Sequence, residues 1–243
     1  MISENTSKIG LIFDLDGTLL DSTGLLSHIP VELGKKYHVS VDESTANMIK
    51  EKILSAIRGT NSRFLILRLI FFTARKYRVS WFLRLRYLRD AIKLYKKLVK
   101  EVPIFPGIRE TLQFLTIHGI PIAINTTASK SEVLDRFENR MDFLELFADH
   151  VITRSDIKKM KPNPESIIML SNKMGLKIKD LIIIGDMNSD IEAGQNAGCT
   201  TVGVLTGYST REMMQSYHPD FIIESVKDLP SVFLKLKEHI GAK

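Results

Sequence analysis

Short apolar runs alternate with helical patterns through most of this chain, and that alternation limits the folds open to it. Six runs have the length and the Ile, Leu and Val content of buried strands: 9–13, 120–125, 150–153, 181–184, 201–204 and 221–223. Helical patterns follow or separate them: 107–118, 131–138, 164–174, 189–197, 210–217 and 227–240. Nearly continuous apolar strands are typical of sheets covered on both faces. The pattern predicts an α/β fold with a doubly wound, Rossmann-like parallel sheet.

Residues 21–101 break this alternation. They contain no convincing strand, and we predict successive helices inserted after the first strand. Ser80 is a candidate cap for a helix with apolar positions at helical spacing: Trp81, Leu85, Leu88, Ile92, Tyr95 and Val99. The chain returns through residues 102–107, where two prolines and a glycine suit a linker. We therefore expect a core of residues 1–20 and 102–243, and an all-helical domain of residues 21–101.

Charge and cysteine content set further limits. The formal net charge of the 243-residue chain is +6, and it is unevenly distributed. Residues 58–100 hold thirteen Lys or Arg and one acid, Asp90, so this segment carries +12 and the remainder −6. A single cysteine, Cys199, excludes an intramolecular disulfide and suits a reducing compartment. The N-terminal residues lack a signal-peptide layout, and no apolar run approaches the ~20 residues of a membrane span. We expect a cytoplasmic protein whose two parts do different jobs.

Residues 14–19, DLDGTL, directly follow the first predicted strand and carry the strongest chemical signal in the chain. Two acids two residues apart can form an ordinary turn at a strand end, with Gly17 allowing the bend. Composition alone, however, gives this tight pattern in only on the order of one chain in a thousand. Ligand sites of open parallel sheets lie beyond the carboxyl ends of strands, where these acids are placed. We therefore interpret Asp14 and Asp16 as functional residues.

Three later segments complete a set of four motifs. Thr126 ends a predicted strand, and Lys161 precedes a proline in the run KPNP. Asp186 and Asp190 follow another predicted strand in the run GDMNSD. With DLDGTL, these segments stand in the order of the four motifs of the haloacid dehalogenase (HAD) superfamily, which the chain resembles over nearly its whole length. One of the later motifs alone is weak evidence, whereas four in order are strong.

The resemblance implies a phosphoryl-transfer site built around the first motif. Asp14 would attack phosphorus and become an aspartyl-phosphate, which divides one difficult hydrolysis into two easier displacements. Asp16 would protonate the departing alkoxide and then deprotonate the attacking water. Mg²⁺ would be held by a carboxylate oxygen of Asp14, the backbone carbonyl of Asp16, and Asp186. Asp190 would be a weaker ligand or a partner of the ligands.

The resemblance also assigns phosphate binding to Thr126 and the adjacent Thr127, and catalytic charge neutralisation and phosphate binding to Lys161. Each of these side chains has an ordinary structural alternative. Asp186 and Asp190 fit a helix N-cap with an acid in the first turn, and the threonines fit a loop before a capped helix. Lys161 fits a solvated lysine of a basic run, although the two nearby prolines favour function because they fix the loop.

The helical insertion matches the small C1 cap of the family, which closes over the site and supplies specificity contacts. The sequence of Arg58, Gly59 and Thr60 predicts a turn that resembles the loop with which related caps touch substrate. Arg58 is a candidate for recognising an anionic part of the substrate, and an exposed arginine at a helix end is the alternative. The basic and aromatic segment 58–100 also allows a binding module for nucleic acid or an anionic membrane surface, or an oligomer interface.

Asp16 separates the branches of the family. The dehalogenase and phosphonate-cleaving branches lack this acid, so the resemblance implies a phosphatase or a phosphomutase, as in the phosphoglycolate phosphatase and beta-phosphoglucomutase branch. A mutase has to keep water from its phosphoenzyme and hold a bisphosphate in two orientations, and the insertion carries no clear sequence for that. We therefore expect a Mg²⁺-dependent phosphatase of a small phosphorylated metabolite, acting as a monomer or homodimer.

Overall fold

The computed structural model describes residues 9–39, 48–49, 52 and 65–242. The chain divides into two compact units. The sheet unit consists of Met1–Asp21 and Pro103–Lys243, and the helical unit consists of Ser22–Val102.

The sheet unit is built on six parallel strands. They are β1 (Gly10–Phe13), β2 (Ile122–Asn125), β3 (Val151–Ile152), β4 (Leu181–Gly185), β5 (Thr200–Val204) and β6 (Phe221–Ile223). Their order across the sheet is β3-β2-β1-β4-β5-β6. The chain extends the sheet from β1 in one direction and then returns to its other side at β4. The switch point lies between β1 and β4, where open parallel sheets bind ligands beyond the carboxyl ends of their strands.

Ten α-helices lie in the described residues. They are α1 (Leu25–Lys36), α2 (Leu65–Lys76), α3 (Arg84–Val99), α4 (Ile108–Ile117), α5 (Lys130–Phe137), α6 (Met141–Glu145), α7 (Glu165–Met174), α8 (Asn188–Ala197), α9 (Arg211–Ser216) and α10 (Leu229–Gly241). Short 3₁₀ turns occupy Trp81–Leu83, Ile178–Asp180 and Val226–Asp228. The first three helices belong to the helical unit and the other seven to the sheet unit.

Apolar strand sequences place the core of the sheet unit on both sides of the sheet. Every residue of β1, β2, β4 and β5 is buried. One cluster joins a sheet face to α7 and α8 through these buried residues: Ile12, Ala123, Ile183, Ile167, Leu170 and Ala193. The predicted doubly wound α/β fold is confirmed, and the predicted bounds of its strands and long helices differ from the observed ones by no more than two residues. The short helix α6 was not predicted.

The helical unit has its own apolar cluster, in which Tyr87 and Ala91 of α3 pack with Leu33 of α1 and Ala74 of α2. The prediction for α3 was wrong in two details. The side chain of Ser80 makes no capping hydrogen bond, and a 3₁₀ turn precedes the helix. Trp81 therefore lies outside the helical register and is 78% exposed.

Leu85 was also predicted on the buried face of α3, and it is exposed. The buried residues of α3 are Tyr87, Ala91 and the predicted Val99, and the predicted Leu88, Ile92 and Tyr95 pack against the apolar cluster of the helical unit. No helix in the described part of the chain has the length and apolar character required to cross a bilayer.

Candidate active site

The first and fourth motifs meet at the switch point of the sheet. Phe13 of β1 lies in register with Ile184 of β4, so Asp14 and Asp186 follow the ends of neighbouring strands. The backbone N–H of Asp14 donates to the carbonyl of Ile184 at 2.8 Å. Both carboxylates are buried, with Asp186 fully so. Sheet register alone therefore brings together two acids that are far apart in sequence.

Lys161 connects this pair of strand ends to α8. Its Nζ donates to Asp14 Oδ1 at 2.6 Å and to the carbonyl of Asn125, the last residue of β2, at 3.1 Å. The same ammonium donates to Asp190 Oδ1, which gives it a second charged partner. The side chain of Lys161 is only 3% exposed. The structural alternative of a solvated lysine is wrong, because this side chain is buried among carboxylates.

Asp190 makes two contacts, one with Lys161 in the cluster and one with the backbone at the start of α8. Its Oδ1 meets Lys161, and its Oδ2 accepts the backbone N–H of Met187 at 3.1 Å, at the start of α8. Gly185 makes this possible, because a Cβ there would lie 2.4 Å from the Cβ of Asp190. The alternative of a structural role at a helix N-terminus is thus observed for Asp190 together with its place in the cluster.

Asp186 is held by hydrogen bonds from two loops. Its Oδ2 accepts the backbone N–H of Tyr208 at 2.9 Å, and its Oδ1 accepts the hydroxyl of Thr18 at 3.3 Å. Gly17 passes so closely that a Cβ would lie 2.6 Å from Asp186 Oδ2, and its φ of +88° favours glycine in any case. The glycine of DLDGTL therefore serves close approach to a buried acid as well as the bend.

Burial and crowding of like charges dominate the electrostatics of this cluster. Burial raises the pKa of Asp14 to about 7, and the charge of Asp190 adds to that effect while Lys161 opposes it. Burial, followed by the charges of Asp14 and Asp190, raises the pKa of Asp186 well above its ordinary value. Burial alone would lower the pKa of Lys161, but the charges of Asp14 and Asp190 outweigh it and raise that pKa. One ammonium thus faces three carboxylates, and the ionised cluster lacks positive charge.

The cluster fits a hard divalent cation. Asp14, Asp186 and Asp190 each offer a carboxylate oxygen, and these oxygens lie within 4.8 Å of one another. Oxygen donors of this kind bind Mg²⁺ and Ca²⁺, and such a cation would supply the missing charge.

Asp16 lies outside this group of carboxylates and is paired with an arginine that the sequence analysis missed. Arg136 of α5 donates from Nε to Asp16 Oδ1 at 3.1 Å and from Nη2 to Oδ2 at 2.9 Å. Sequence does hold a signal for Arg136. It is a charged residue between Val133 and Phe137 on the face of α5 that the structure buries.

The second motif ends β2, beside β1. Thr126 is buried, and its Oγ1 accepts the backbone N–H of Ala128 at 3.1 Å. This contact is the expected loop interaction, and it leaves the hydroxyl hydrogen of Thr126 to another acceptor. Thr127 follows it and is partly buried. The candidate substrate residues Arg58, Gly59 and Thr60 lie outside the described residues.

The loop after β5 is a further part of the site that the sequence analysis missed. Thr206 donates its hydroxyl to the carbonyl of Gly17 at 2.7 Å, and Tyr208 binds Asp186 through its backbone N–H. A Cβ at Gly207 would lie 1.9 Å from Asp186 Oδ2. Position at the carboxyl end of a strand beside β4 is the only sequence signal for this loop.

Comparison with known proteins gives the family. Residues 11–204 match the haloacid dehalogenase-like hydrolases. The chain belongs to this family. A phosphoglycolate phosphatase of Yersinia pseudotuberculosis is 29% identical to the chain over 222 residues, which covers 90% of each protein. The four motif segments of this HAD chain thus belong to an enzyme, a phosphatase similar to phosphoglycolate phosphatases.

Two solved structures show the same fold as this HAD chain. A predicted phosphoglycolate phosphatase from Haemophilus somnus 129PT aligns with a TM-score of 0.75 at 22% identity, covering 94% of this chain and 99% of that one. A provisionally assigned beta-phosphoglucomutase from Thermotoga maritima aligns with a TM-score of 0.78 at 20% identity and the same coverage.

Proposed function

We propose that this HAD phosphatase hydrolyses a small phosphorylated metabolite through an aspartyl-phosphate on Asp14, and that it requires Mg²⁺. The observation that carries the proposal is the buried cluster in which Lys161 contacts Asp14 and Asp190 beside Asp186. A structural ion pair needs one partner for each charge, whereas this cluster holds an excess of carboxylates at the ligand-binding edge of the sheet.

Asp14 is the proposed nucleophile. Its carboxylate would attack phosphorus as the ester oxygen departs, and water would later cleave the acyl-phosphate and release phosphate. Mg²⁺ bound by Asp14, Asp186 and the backbone carbonyl of Asp16, with Asp190 beside them, would supply positive charge between the nucleophile and the phosphate dianion. Lys161 adds a fixed positive charge next to the attacking oxygen.

Asp16 is the proposed general acid and base. It would give a proton to the departing alkoxide and then take one from the water that attacks the phosphoenzyme. Its carboxylate is held by Arg136 away from the cluster that contains Asp14, which suits a group that works on the opposite side of the phosphorus. Thr126 and Thr127 would bind the phosphoryl oxygens, and the free hydroxyl hydrogen of Thr126 supports that role.

We propose separate roles for the two parts of the chain, a catalytic core and a cap. Residues 1–20 and 102–243 would form the catalytic core, and residues 21–101 would form a C1-type cap whose Arg58, Gly59 and Thr60 touch the substrate. The chain holds a single cysteine, Cys199, which is buried, and a chain without an intramolecular disulfide supports a reducing cytoplasm as the proposed location. The comparisons give no support to a binding module without catalysis.

Phosphoglycolate is the first substrate to test, because curated relatives that cover 90% or more of the chain are phosphoglycolate phosphatases. The test is phosphate release from 2-phosphoglycolate, sugar phosphates, nucleotides and p-nitrophenyl phosphate, with Mg²⁺ or with EDTA. We expect turnover with Mg²⁺ only, and none in Asp14→Asn. Asp142→Asn is the matched control, because Asp142 is exposed and pairs with Arg109 at the surface. Absence of metal-dependent turnover on every phosphoester would contradict the proposal, and a requirement for a bisphosphate activator would indicate a mutase.

A further inference from the structure

Arg136 and Asp16 form a bidentate ion pair, the fork, in which the guanidinium is buried and the carboxylate is partly exposed. The side chain of Arg136 is 5% exposed, and that of Asp16 is 28% exposed. Two guanidinium nitrogens meet the two carboxylate oxygens at 3.1 and 2.9 Å. A carboxylate has about four lone-pair sites, so this contact occupies about half of them. The remaining lone-pair sites take no part in the contact with Arg136.

The guanidinium is itself fixed by the start of α5. Its Nη1 donates to the carbonyl of Glu132 at 3.0 Å, one turn earlier in the helix. Glu132 and Ser129 form a capping box, in which the N–H of Ser129 donates to Glu132 Oε2 at 2.6 Å. Arg154 also donates to that carboxylate at 3.0 Å. Arg136 is therefore held in one orientation by the helix that begins directly after the loop of Thr126.

We propose that Arg136 is a positioning residue for Asp16. Its two hydrogen bonds fix the orientation of the carboxylate, so that the remaining lone pairs are directed to the ester oxygen and to the attacking water. This proposal rests on the proposed function, because it gives Asp16 the role of general acid and base.

Stability alone is a poor reason for this pair. Buried ion pairs are often replaceable by apolar residues without loss of stability, so the burial of Arg136 is weak evidence that this pair serves the stability of the fold. Orientation of a carboxylate by two parallel hydrogen bonds is a property of arginine that lysine lacks. The partner of Arg136 is the acid two residues after the nucleophile, where orientation has a direct effect on rate.

The test compares a poor and a good leaving group in the full-length enzyme with Mg²⁺. Protonation of the leaving oxygen matters for 2-phosphoglycolate, which releases an alkoxide, and little for p-nitrophenyl phosphate. In Arg136→Met and Arg136→Lys we expect kcat/KM on 2-phosphoglycolate, which reports the steps up to departure of the alkoxide, to fall by about 10–100-fold. The loss of kcat/KM on p-nitrophenyl phosphate should be about tenfold smaller than the loss on 2-phosphoglycolate. Arg136→Lys keeps the charge without the fork, so it separates orientation from charge.

Two further variants complete the design. Arg140→Met is the matched control, because Arg140 donates to the backbone carbonyl of Arg136 and has no part in the fork with Asp16. This variant should leave the ratio of kcat/KM for 2-phosphoglycolate to kcat/KM for p-nitrophenyl phosphate unchanged. The double variant Arg136→Met with Asp16→Asn should be no slower than Asp16→Asn alone, because both act through one carboxylate.

The outcomes are distinguishable from failure of the proposed function. Wild-type protein without metal-dependent turnover would remove the proposed function itself. Active wild type with equal losses of kcat/KM on both substrates in the Arg136 variants, or with additive losses in the double variant, would overturn only the positioning role. If Arg136→Met does not fold, Arg136→Lys carries the same comparison, and an unchanged substrate ratio in that variant overturns the proposal.

Discussion

Asp14→Asn should abolish turnover and at the same time stabilise the metal-free protein. The pKa of this carboxyl is about 7 in the fold, against an ordinary value of 3.8, because burial and the charge of Asp190 outweigh the attraction of Lys161. At pH 8 the ionised carboxylate therefore costs the folded state about 4 kcal/mol. Asparagine removes that cost, and because the pKa of about 7 already includes the attraction of Lys161, we expect a gain of up to about 4 kcal/mol.

The pH dependence has a fixed sign. A group whose pKa is raised by folding stabilises the protein below its unfolded pKa, and this contribution is lost as pH rises through the folded pKa. The advantage of Asp14→Asn over wild type should thus be largest above pH 7 and should shrink toward pH 4. Added Mg²⁺ should stabilise wild type and close the gap, because the ion binds the folded carboxylates.

Urea unfolding in EDTA, followed by far-ultraviolet circular dichroism, measures this difference. The single tryptophan, Trp81, lies in the helical unit, so its fluorescence does not report directly on the sheet unit. Asp142→Asn is the control and should change the free energy of unfolding by less than about 0.5 kcal/mol. An Asp14→Asn protein less stable than wild type at pH 8 would refute the reasoning, since the Asp14–Lys161 pair would then outweigh the crowding of carboxylates.

Three further outcomes follow from particular side chains. Asn125→Leu should stabilise the protein by about 1–2 kcal/mol in thermal unfolding, because among the described residues the buried side-chain amide of Asn125 has no hydrogen-bond partner. A loss of stability would show instead that the amide is hydrogen-bonded. Burial raises the pKa of Tyr87 to about 12, so the absorbance of its phenol should change near pH 12 and the free energy of unfolding should fall between about pH 10 and 12. Ionisation of Tyr87 near pH 10 in the folded state would contradict its burial. Gly185→Ala should lower kcat/KM at least about tenfold and cost about 1–3 kcal/mol, because the new Cβ would displace Asp190, and wild-type activity would contradict that packing.

Local sequence was sufficient for the residues that end strands. Asp14, Thr126 and Asp186 each follow an apolar run, and parallel strands bring their carboxyl ends to one edge of a sheet. Lys161 was predictable through the order of the motifs and the two nearby prolines, whereas its burial among carboxylates is a tertiary fact that its basic neighbours in sequence do not indicate.

Residues whose role depends on contacts with distant parts of the sequence could not be predicted from local sequence. Arg136 pairs with Asp16 across 120 positions of chain, and Thr206 reaches Gly17 across 189. The stripe predicted for α3 placed Trp81 on a buried face, because spacing alone does not show that a 3₁₀ turn shifts the register before Arg84.

The central claim is that Asp14 carries a phosphoryl group during turnover, and Asp16→Asn offers a direct way to observe it. This variant should still react with p-nitrophenyl phosphate, whose leaving group needs little protonation, but it lacks the base for the second step. With Mg²⁺ we expect a burst of about one p-nitrophenolate per enzyme, as acyl-enzyme-type intermediates give. Mass spectrometry of the acid-quenched protein should place one phosphoryl group on Asp14 and none in Asp14→Asn with Asp16→Asn. A burst without phosphorylated Asp14, or a phosphoryl group on another residue, would contradict the account.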